Sequence, residues 1–290
     1  MADSQTQDSH AELVDALTEL YTLLDTQGAL PAVSPDSDDD DVVNICLPPH
    51  PAGSLNMQAA AAAGYTAEAV SLMSALPFLA DEHAYKHGSG YQLMPSTYGV
   101  SYLGEDVDEG EFQWRREMLD DHLMPPTAVK LTQSDVYGVE WVYDVGTRLI
   151  TPWRPFDDGL SDTDDYSHVT ALPPRQVVGP LIDHYRRLDY LTSPAGEVDF
   201  SSPLFAEAPL DPVTGEAQPP PDYEARDATK WRAQYAVWRA TRGIKDIYLE
   251  CGWDVASRAQ PAFRRDEFLR RRAEYWTDVV EPLVQAEADL

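Results

Sequence analysis

Residues 139–153, VEWVYDVGTRLITPW, decide the fold, because they read as two β-strands joined by a short turn. Large apolar side chains alternate with Glu140 and Arg148, which is the period-two pattern of paired strands. Gly146 lies inside the turn at 144–147, where a glycine is favoured. The alternation predicts that one face of the hairpin is buried under helices and that the other is partly exposed to water.

Segments with helical spacing flank this hairpin. Leucines recur every three or four residues over 11–27, and Thr66 is placed to cap a helix that ends before Pro77. A further amphipathic segment follows the two prolines at 173 and 174. Because residues 127–132 also have strand composition, the chain is predicted to be α+β: a small antiparallel or mixed sheet covered by helices, with a helical C-terminal region.

The C-terminal region is predicted to hold the longest helix. Trp231, Tyr235 and Trp238 have helical spacing, which is typical of a core face, and Gly252 is placed to end this region. A last helix is expected from about Phe263, weakened by Pro282.

The domain organisation follows from shifts in composition. We expect an N-terminal helix and an acidic linker over 1–43, then a single α+β domain over 44–290. The run VSPDSDDDD at 33–41 is predicted to be a solvated linker, and the five prolines of 208–222 predict an extended surface loop. The helix at 11–27 is expected to dock on the body of the domain; a short coiled coil with a second protein is the alternative.

The charge of the chain is strongly uneven. The formal net charge is −29, and residues 1–43 hold 11 acidic and no basic side chains, whereas 226–276 hold 12 basic and 7 acidic ones. Solubility, choice of partner and adaptation to salt would each favour such acidity. With no apolar run long enough for a membrane span and no signal-peptide pattern at the start, we expect a cytoplasmic or nuclear location.

The candidate motifs for catalysis and metal binding in this chain do not match the patterns of known sites. His83 and His87 have the i, i+4 spacing of metal ligands, but Ala84 stands where a zincin has glutamate. Ser89 has glycines as immediate neighbours, unlike a hydrolase elbow. Cys46 and Cys251 are expected to be buried free thiols. We therefore expect no cofactor and no metal.

The best site signal is a group of five arginines, called the basic face below: Arg264, Arg265, Arg270, Arg271 and Arg272. They span a full helical arc, so some must reach solvent while the stems of others cover apolar side chains. Nucleic acid is disfavoured by the net charge, and we expect these residues to contact a protein partner. In a second hypothesis, the acidic run at 33–41 folds back onto them and an acidic partner displaces it.

Three segments carry a resemblance to known proteins: AGYTAEAVSLMSALPFL at 63–79, YGVEWVYDVGTRLITPW at 137–153 and IYLECGWDVASRAQPAFRRDEFLRRR at 247–272. They resemble uncharacterised proteins of filamentous fungi. The order of helix and hairpin over 44–155 is similar to that of the SUKH superfamily of immunity proteins and cell-wall regulators. The resemblance implies a protein-binding α+β domain. The chain departs from it in the Pro-rich loop and the Trp-rich C-terminal helices.

The sequence therefore predicts a soluble interaction or regulatory module without catalytic activity. The alternative is an enzyme acting on a small molecule, with His83, His87 or His168 as acid or base in an aromatic cleft. A pocket in which one of these histidines meets a carboxylate would favour the enzyme. A third reading is an assembly subunit held together by the helix at 11–27.

Overall fold

The structure, a computed structural model, groups the chain into two compact units. Unit 1 holds residues 1–25 and 32–183, and unit 2 holds residues 26–31 and 184–290. The residues that the structure describes are 10–30, 44–80, 83–85, 90–104, 107–118, 122–135, 137–155, 166–199, 203–211, 217–219 and 225–290.

Helices and short antiparallel strands make up the described chain, which confirms the predicted α+β class. The helices are α1 (Ala11–Gln27), α2 (Met57–Ala62), α3 (Ala67–Met73), α4 (Glu109–Trp114), α5 (Pro174–Arg186), α6 (Pro203–Ala206), α7 (Ala225–Arg242), α8 (Ile244–Glu250), α9 (Arg265–Tyr275), a π-helical turn (Trp276–Val280) and α10 (Glu281–Ala288). The strands are β1 (Ile45–Cys46), β2 (Phe78–Leu79), β3 (Gln92–Met94), β4 (Thr97–Gly99), β5 (Ala128–Lys130), β6 (Thr132–Ser134), β7 (Glu140–Asp144), β8 (Leu149–Trp153), β9 (Leu191–Thr192) and β10 (Val198–Asp199).

Unit 1 is built around two three-stranded antiparallel sheets, ordered β3–β4–β6 and β5–β7–β8. The predicted hairpin is β7–β8, in which Glu140 pairs with Trp153 and Tyr143 with Ile150. Asp144 holds the turn, since its Oδ1 accepts a hydrogen bond of 2.7 Å from the backbone N–H of Thr147. Burial alone would raise the pKa of Asp144, but hydrogen bonds from Thr127, Thr147 and Gly146 bring it below its usual value.

Both faces of the hairpin are buried, so the expectation of one partly wet face does not hold. Trp141 and Tyr143 on one face, and Glu140 and Val142 on the other, are each at most 3% exposed. Met124, Ala128 and Trp153 pack around Val142, together with partly buried apolar side chains. The polar side chain of Glu140 therefore lies inside the fold, where the alternation pattern had suggested solvent.

The N-terminal helix is an integral part of the fold. Leu13, Leu20 and Leu24 of α1 are fully buried within this one chain. Residues 1–25 group with 32–183 in unit 1, and the division of the chain at residue 43 stays a prediction. The acidic run at 33–41 lies outside the described residues.

Unit 2 is mainly helical and has an aromatic core. Tyr248 stacks on Phe268 with ring centroids 3.8 Å apart, and Trp231 is 1% exposed. Burial raises the pKa of Tyr248 to about 12, and its hydroxyl donates to the carbonyl of Gln27. Gly252, with φ of +93°, follows the end of α8 as predicted. Pro282 lies in the first turn of α10, directly after the π-helical turn Trp276–Val280 that interrupts the regular helix.

Candidate functional site

Three arginines of the basic face lie at the surface of unit 2 in ion pairs with glutamates. Arg264 precedes α9, and its Nε lies 2.6 Å from the Glu267 carboxylate. Arg270 donates to both oxygens of Glu274 at 2.7 and 2.8 Å. These pairs join residues three and four apart in one helix, the spacing at which helical side chains meet. The side chains of Arg264 and Arg270 are 54% and 61% exposed.

Arg271 links α9 to the end of α8. Its guanidinium forms an ion pair with Glu250 and lies 4.0 Å from a carboxylate oxygen of Glu267. The hydrogen bond from Arg264 lowers the pKa of Glu267, and the hydrogen bond to Glu250 raises the pKa of Arg271. Three surface arginines thus face three carboxylates, so this part of the basic face is locally neutral.

Arg272 is different, because its side chain enters the interior of unit 2. The residue is 5% exposed, and its Nη1 donates to the carbonyl of Gly28 at 2.8 Å and to the Thr192 hydroxyl at 3.2 Å. Its guanidinium also lies 5.3 Å from the centre of the Phe268 ring. These contacts give Arg272 a structural position, whereas Arg265 is partly exposed. That the arginines bind a protein partner stays a prediction.

Two of the three histidines of the enzyme alternative lie among the described residues. His83 is 3% exposed, and its Nε2 lies 3.2 Å from the amide oxygen of Asn44. His168 is exposed, and His87 lies outside the described residues. Neither His83 nor His168 is among the described residues that line the two clefts discussed next.

The first of these clefts has a volume of about 540 Å³ and is bordered by a proline-rich segment, 48–51, and by the C-terminal end of α3. His50 lies in its wall, with Nε2 2.7 Å from the carbonyl of Leu76. Met57, which is 57% exposed, lies at its edge. No Asp, Glu, Lys or Arg is among its described lining residues, so it offers few groups that could fix the orientation of a ligand.

A second cleft, of about 250 Å³, contains a buried ion pair that sequence reasoning missed. Lys130 Nζ lies 2.9 Å from Glu140 Oε2, and the two side chains are 3% and 4% exposed. Within the described chain, Glu140 is the sole buried carboxylate and Lys130 the sole buried lysine. The described residues that line this cleft are Trp114, Glu117, Met118, Lys130, Gln133, Ser134, Glu140, Trp153 and Pro155. We call it the tryptophan cleft.

Strand register brings this pair together. Lys130 pairs with Val142, and Glu140 precedes Val142 by two residues on the same face of β7. Lys130 and Glu140 are therefore diagonal neighbours, a separation that two long side chains can bridge. Glu140 also pairs with Trp153 across β7–β8, which places an indole beside the carboxylate. Only the pairing of β5 with β7 reveals this arrangement, since the two residues are not close in sequence.

Lys130 and one carboxylate oxygen of Glu140 have hydrogen-bond partners, whereas the second oxygen of Glu140 has none. Glu140 Oε1 accepts hydrogen bonds from the Gln133 amide at 2.8 Å and the Ser134 hydroxyl at 3.0 Å. Lys130 Nζ reaches the Glu117 carbonyl and the Gln133 Oε1 at 3.3 Å each. Its 2.9 Å contact with Glu140 Oε2 lacks hydrogen-bond alignment. Glu140 Oε2 is thus a buried acceptor without an aligned hydrogen bond.

Metal binding and membrane insertion find no support in the described chain. Its His, Cys, Asp and Glu side chains form no group of three or more arranged to hold a metal ion. Cys251 is buried as expected, whereas Cys46 is partly exposed, and both are free thiols. None of the described helices is long and apolar enough to cross a membrane.

Comparison with known proteins adds no family to these observations. The chain matches no protein-family model, no curated protein and no solved structure. The resemblance to fungal proteins and to the SUKH superfamily therefore stays a prediction.

Proposed function

We propose that the protein is an interaction module that binds an acidic segment of a partner protein through the surface arginines at 264, 270 and 271. One observation carries the proposal: these side chains stand at the surface in pairs with glutamates that are themselves 39–60% exposed. Exposed ion pairs of this kind contribute little to stability, because water and salt screen their attraction. Carboxylates of a partner could replace the glutamates at little energetic cost.

The surrounding charge would make such binding selective. With a net charge of −29, the protein repels acidic molecules at long range. An acidic partner would therefore need contacts that match the spacing of the three arginines, since attraction to the molecule as a whole is absent. The acidic run at 33–41 is the intramolecular competitor in this proposal.

The role of that run must be tested without disturbing α1. Deleting residues 1–43 would remove a helix with three fully buried leucines, and a loss of binding would then report damage to the fold. Replacing Asp38, Asp39, Asp40 and Asp41 by serine keeps the length of the chain and removes only charge. If the run competes, this variant binds an acidic partner more tightly.

The main experiment compares three neutralised variants. The test variant carries Arg264→Gln, Arg270→Gln and Arg271→Gln. The control carries Lys230→Gln, Arg232→Gln and Arg239→Gln, which removes the same charge from exposed positions of α7. The third carries Glu250→Gln, Glu267→Gln and Glu274→Gln, which leaves the surface arginines without their glutamates.

Fluorescence anisotropy of a labelled poly-glutamate peptide measures the binding, and cross-linking with mass spectrometry in native extract identifies a partner. We expect the test variant to bind the peptide about tenfold more weakly, the control within about twofold, and the third variant more tightly. Equal loss in the test and control variants, or no binding to the unaltered protein, would contradict the proposal.

The alternative, a small-molecule enzyme with a histidine as acid or base, has no comparable observation to favour it. Neither His83 nor His168 is among the described residues that line the two clefts discussed above.

A further inference from the structure

The tryptophan cleft combines features that are each common but rarely coincide. Its polar part is an ion pair withdrawn from water, formed by Lys130 and Glu140. Such a pair contributes little to stability, because desolvating two charges offsets most of their attraction. Its apolar part includes Trp114, which is 39% exposed, and Trp153, which is 2% exposed. A partly exposed indole beside buried charges is typical of ligand sites rather than of a closed core.

The hydrogen bonds define what a ligand would have to offer. Glu140 Oε1 accepts hydrogen bonds and Lys130 Nζ donates two, whereas Glu140 Oε2 accepts none. The atom left to serve a ligand is therefore Glu140 Oε2, which is an acceptor. A ligand would meet it with a donor such as an amide N–H.

The charges and the volume of the cleft further restrict the class of ligand that it can bind. Because the pair is neutral in sum, a charged ligand would attract one member and repel the other, whose charge lies within about 3 Å. A neutral ligand avoids that repulsion. The volume of about 250 Å³ lies below the range of about 300–1,000 Å³ typical of sites for drug-sized molecules, so the ligand is small.

We infer that the tryptophan cleft binds a small uncharged molecule with a flat apolar body and an amide-type N–H group, the body lying against the tryptophans and the N–H donating to Glu140 Oε2. This site is independent of the surface arginines and would stand if the proposed interaction with an acidic partner failed.

Three probes of equal size and different charge test the inference. Benzamide is neutral, benzoate is an anion and benzylamine is a cation; nicotinamide serves as a second neutral amide. Binding to the full-length protein is measured by tryptophan fluorescence and by saturation-transfer NMR. We expect both neutral probes to saturate the site with Kd on the order of 1 mM, as suits ligands of this size, and the two charged probes to bind more weakly.

Substitutions inside and outside the cleft test whether the probes bind there. Trp114→Ala removes an indole that is partly exposed, and Tyr137→Ala removes a ring that is 69% exposed and does not line the cleft. Lys130→Met with Glu140→Leu removes both charges together and so avoids leaving one buried charge unpaired. We expect benzamide to bind about fivefold more weakly to the first and third variants and within about twofold to the second. Hydrogen exchange of β7 establishes that each variant is folded.

Three results would overturn the inference. It is overturned if neither neutral probe shows saturable binding up to about 20 mM, or if benzoate or benzylamine binds more tightly than benzamide. It is also overturned if folded Lys130→Met with Glu140→Leu binds benzamide as well as the unaltered protein.

Discussion

Replacing Lys130 by methionine should destabilise unit 1 strongly, because it leaves a carboxylate buried without its counter-charge. Glu140 is 3% exposed, so water cannot take the place of the ammonium group. Removing one partner of a buried pair costs about 3–5 kcal/mol. Glu140 keeps its hydrogen bonds from Gln133 and Ser134, which places the expected loss near the lower end, at about 3 kcal/mol.

The double variant Lys130→Met with Glu140→Leu should lose far less. The two replacements then lie opposite Val142 and Trp153 in the sheet, and exchanging a buried pair for apolar residues is often neutral. We expect a change of about 1 kcal/mol or less. The non-additivity of the two substitutions, rather than either loss alone, is the signature of a desolvated pair.

Native-state hydrogen exchange is the suitable assay, because a chain with two compact units need not unfold in one step. Exchange of the amides of Glu140–Asp144 in β7 reports the opening of this sheet. A loss of about 3 kcal/mol speeds their exchange roughly 150-fold. The reasoning is refuted if Lys130→Met costs under about 1 kcal/mol, or if the double variant costs as much as the single one.

Three further predictions concern other parts of the chain. Gly64 has φ of +91°, and a Cβ built there would lie 2.6 Å from the Arg116 guanidinium, so Gly64→Ala should lower the free energy of unfolding of unit 1 by more than about 1 kcal/mol in urea titrations. Arg272→Lys should lower the opening free energy of unit 2, measured by hydrogen exchange, by about 2 kcal/mol, because a lysine cannot reproduce the contacts with Gly28 and Thr192. The surface change Arg270→Lys should alter the same free energy by no more than about 0.5 kcal/mol. Burial lowers the pKa of His10, so the unfolded state binds its proton more readily; His10 thus contributes stability that is present above pH 6.5 and lost as the pH falls towards the folded pKa. The unfolding midpoint of unit 1 should therefore fall less steeply between about pH 7 and 5 in His10→Gln than in the unaltered protein.

Local signals account for the parts of the fold that could be predicted. Thr66 caps α3, since its hydroxyl accepts from the N–H of Ala69 at 3.2 Å, and Asn56 caps α2 in the same way. The alternation of 139–153 predicted a hairpin, and β7 and β8 form it. Each of these features depends on side chains a few residues apart, which is the range that sequence patterns report.

The burial of individual arginines could be read only in part. Arg270, Arg271 and Arg272 are consecutive, and composition cannot tell them apart. Helical spacing can, because Arg272 follows Phe268 by four residues and shares its buried face, while Arg270 shares a face with Glu274. Spacing could not predict that the backbone carbonyls of Gly28 and Thr192, which are distant in sequence, accept hydrogen bonds from Arg272.

The tryptophan cleft shows why the acidic composition concealed the most unusual carboxylate. Among 50 acidic residues, a pair of carboxylates in a cleft is expected by chance, so no single Glu is informative in the sequence. Burial changes this, since within the described chain Glu140 is the one carboxylate withdrawn from water and its partner is the one buried lysine. The two are 10 positions apart in sequence and meet only through the register of β5 and β7. Pairing across a sheet, not composition, therefore identifies the charges whose removal should change binding and stability together.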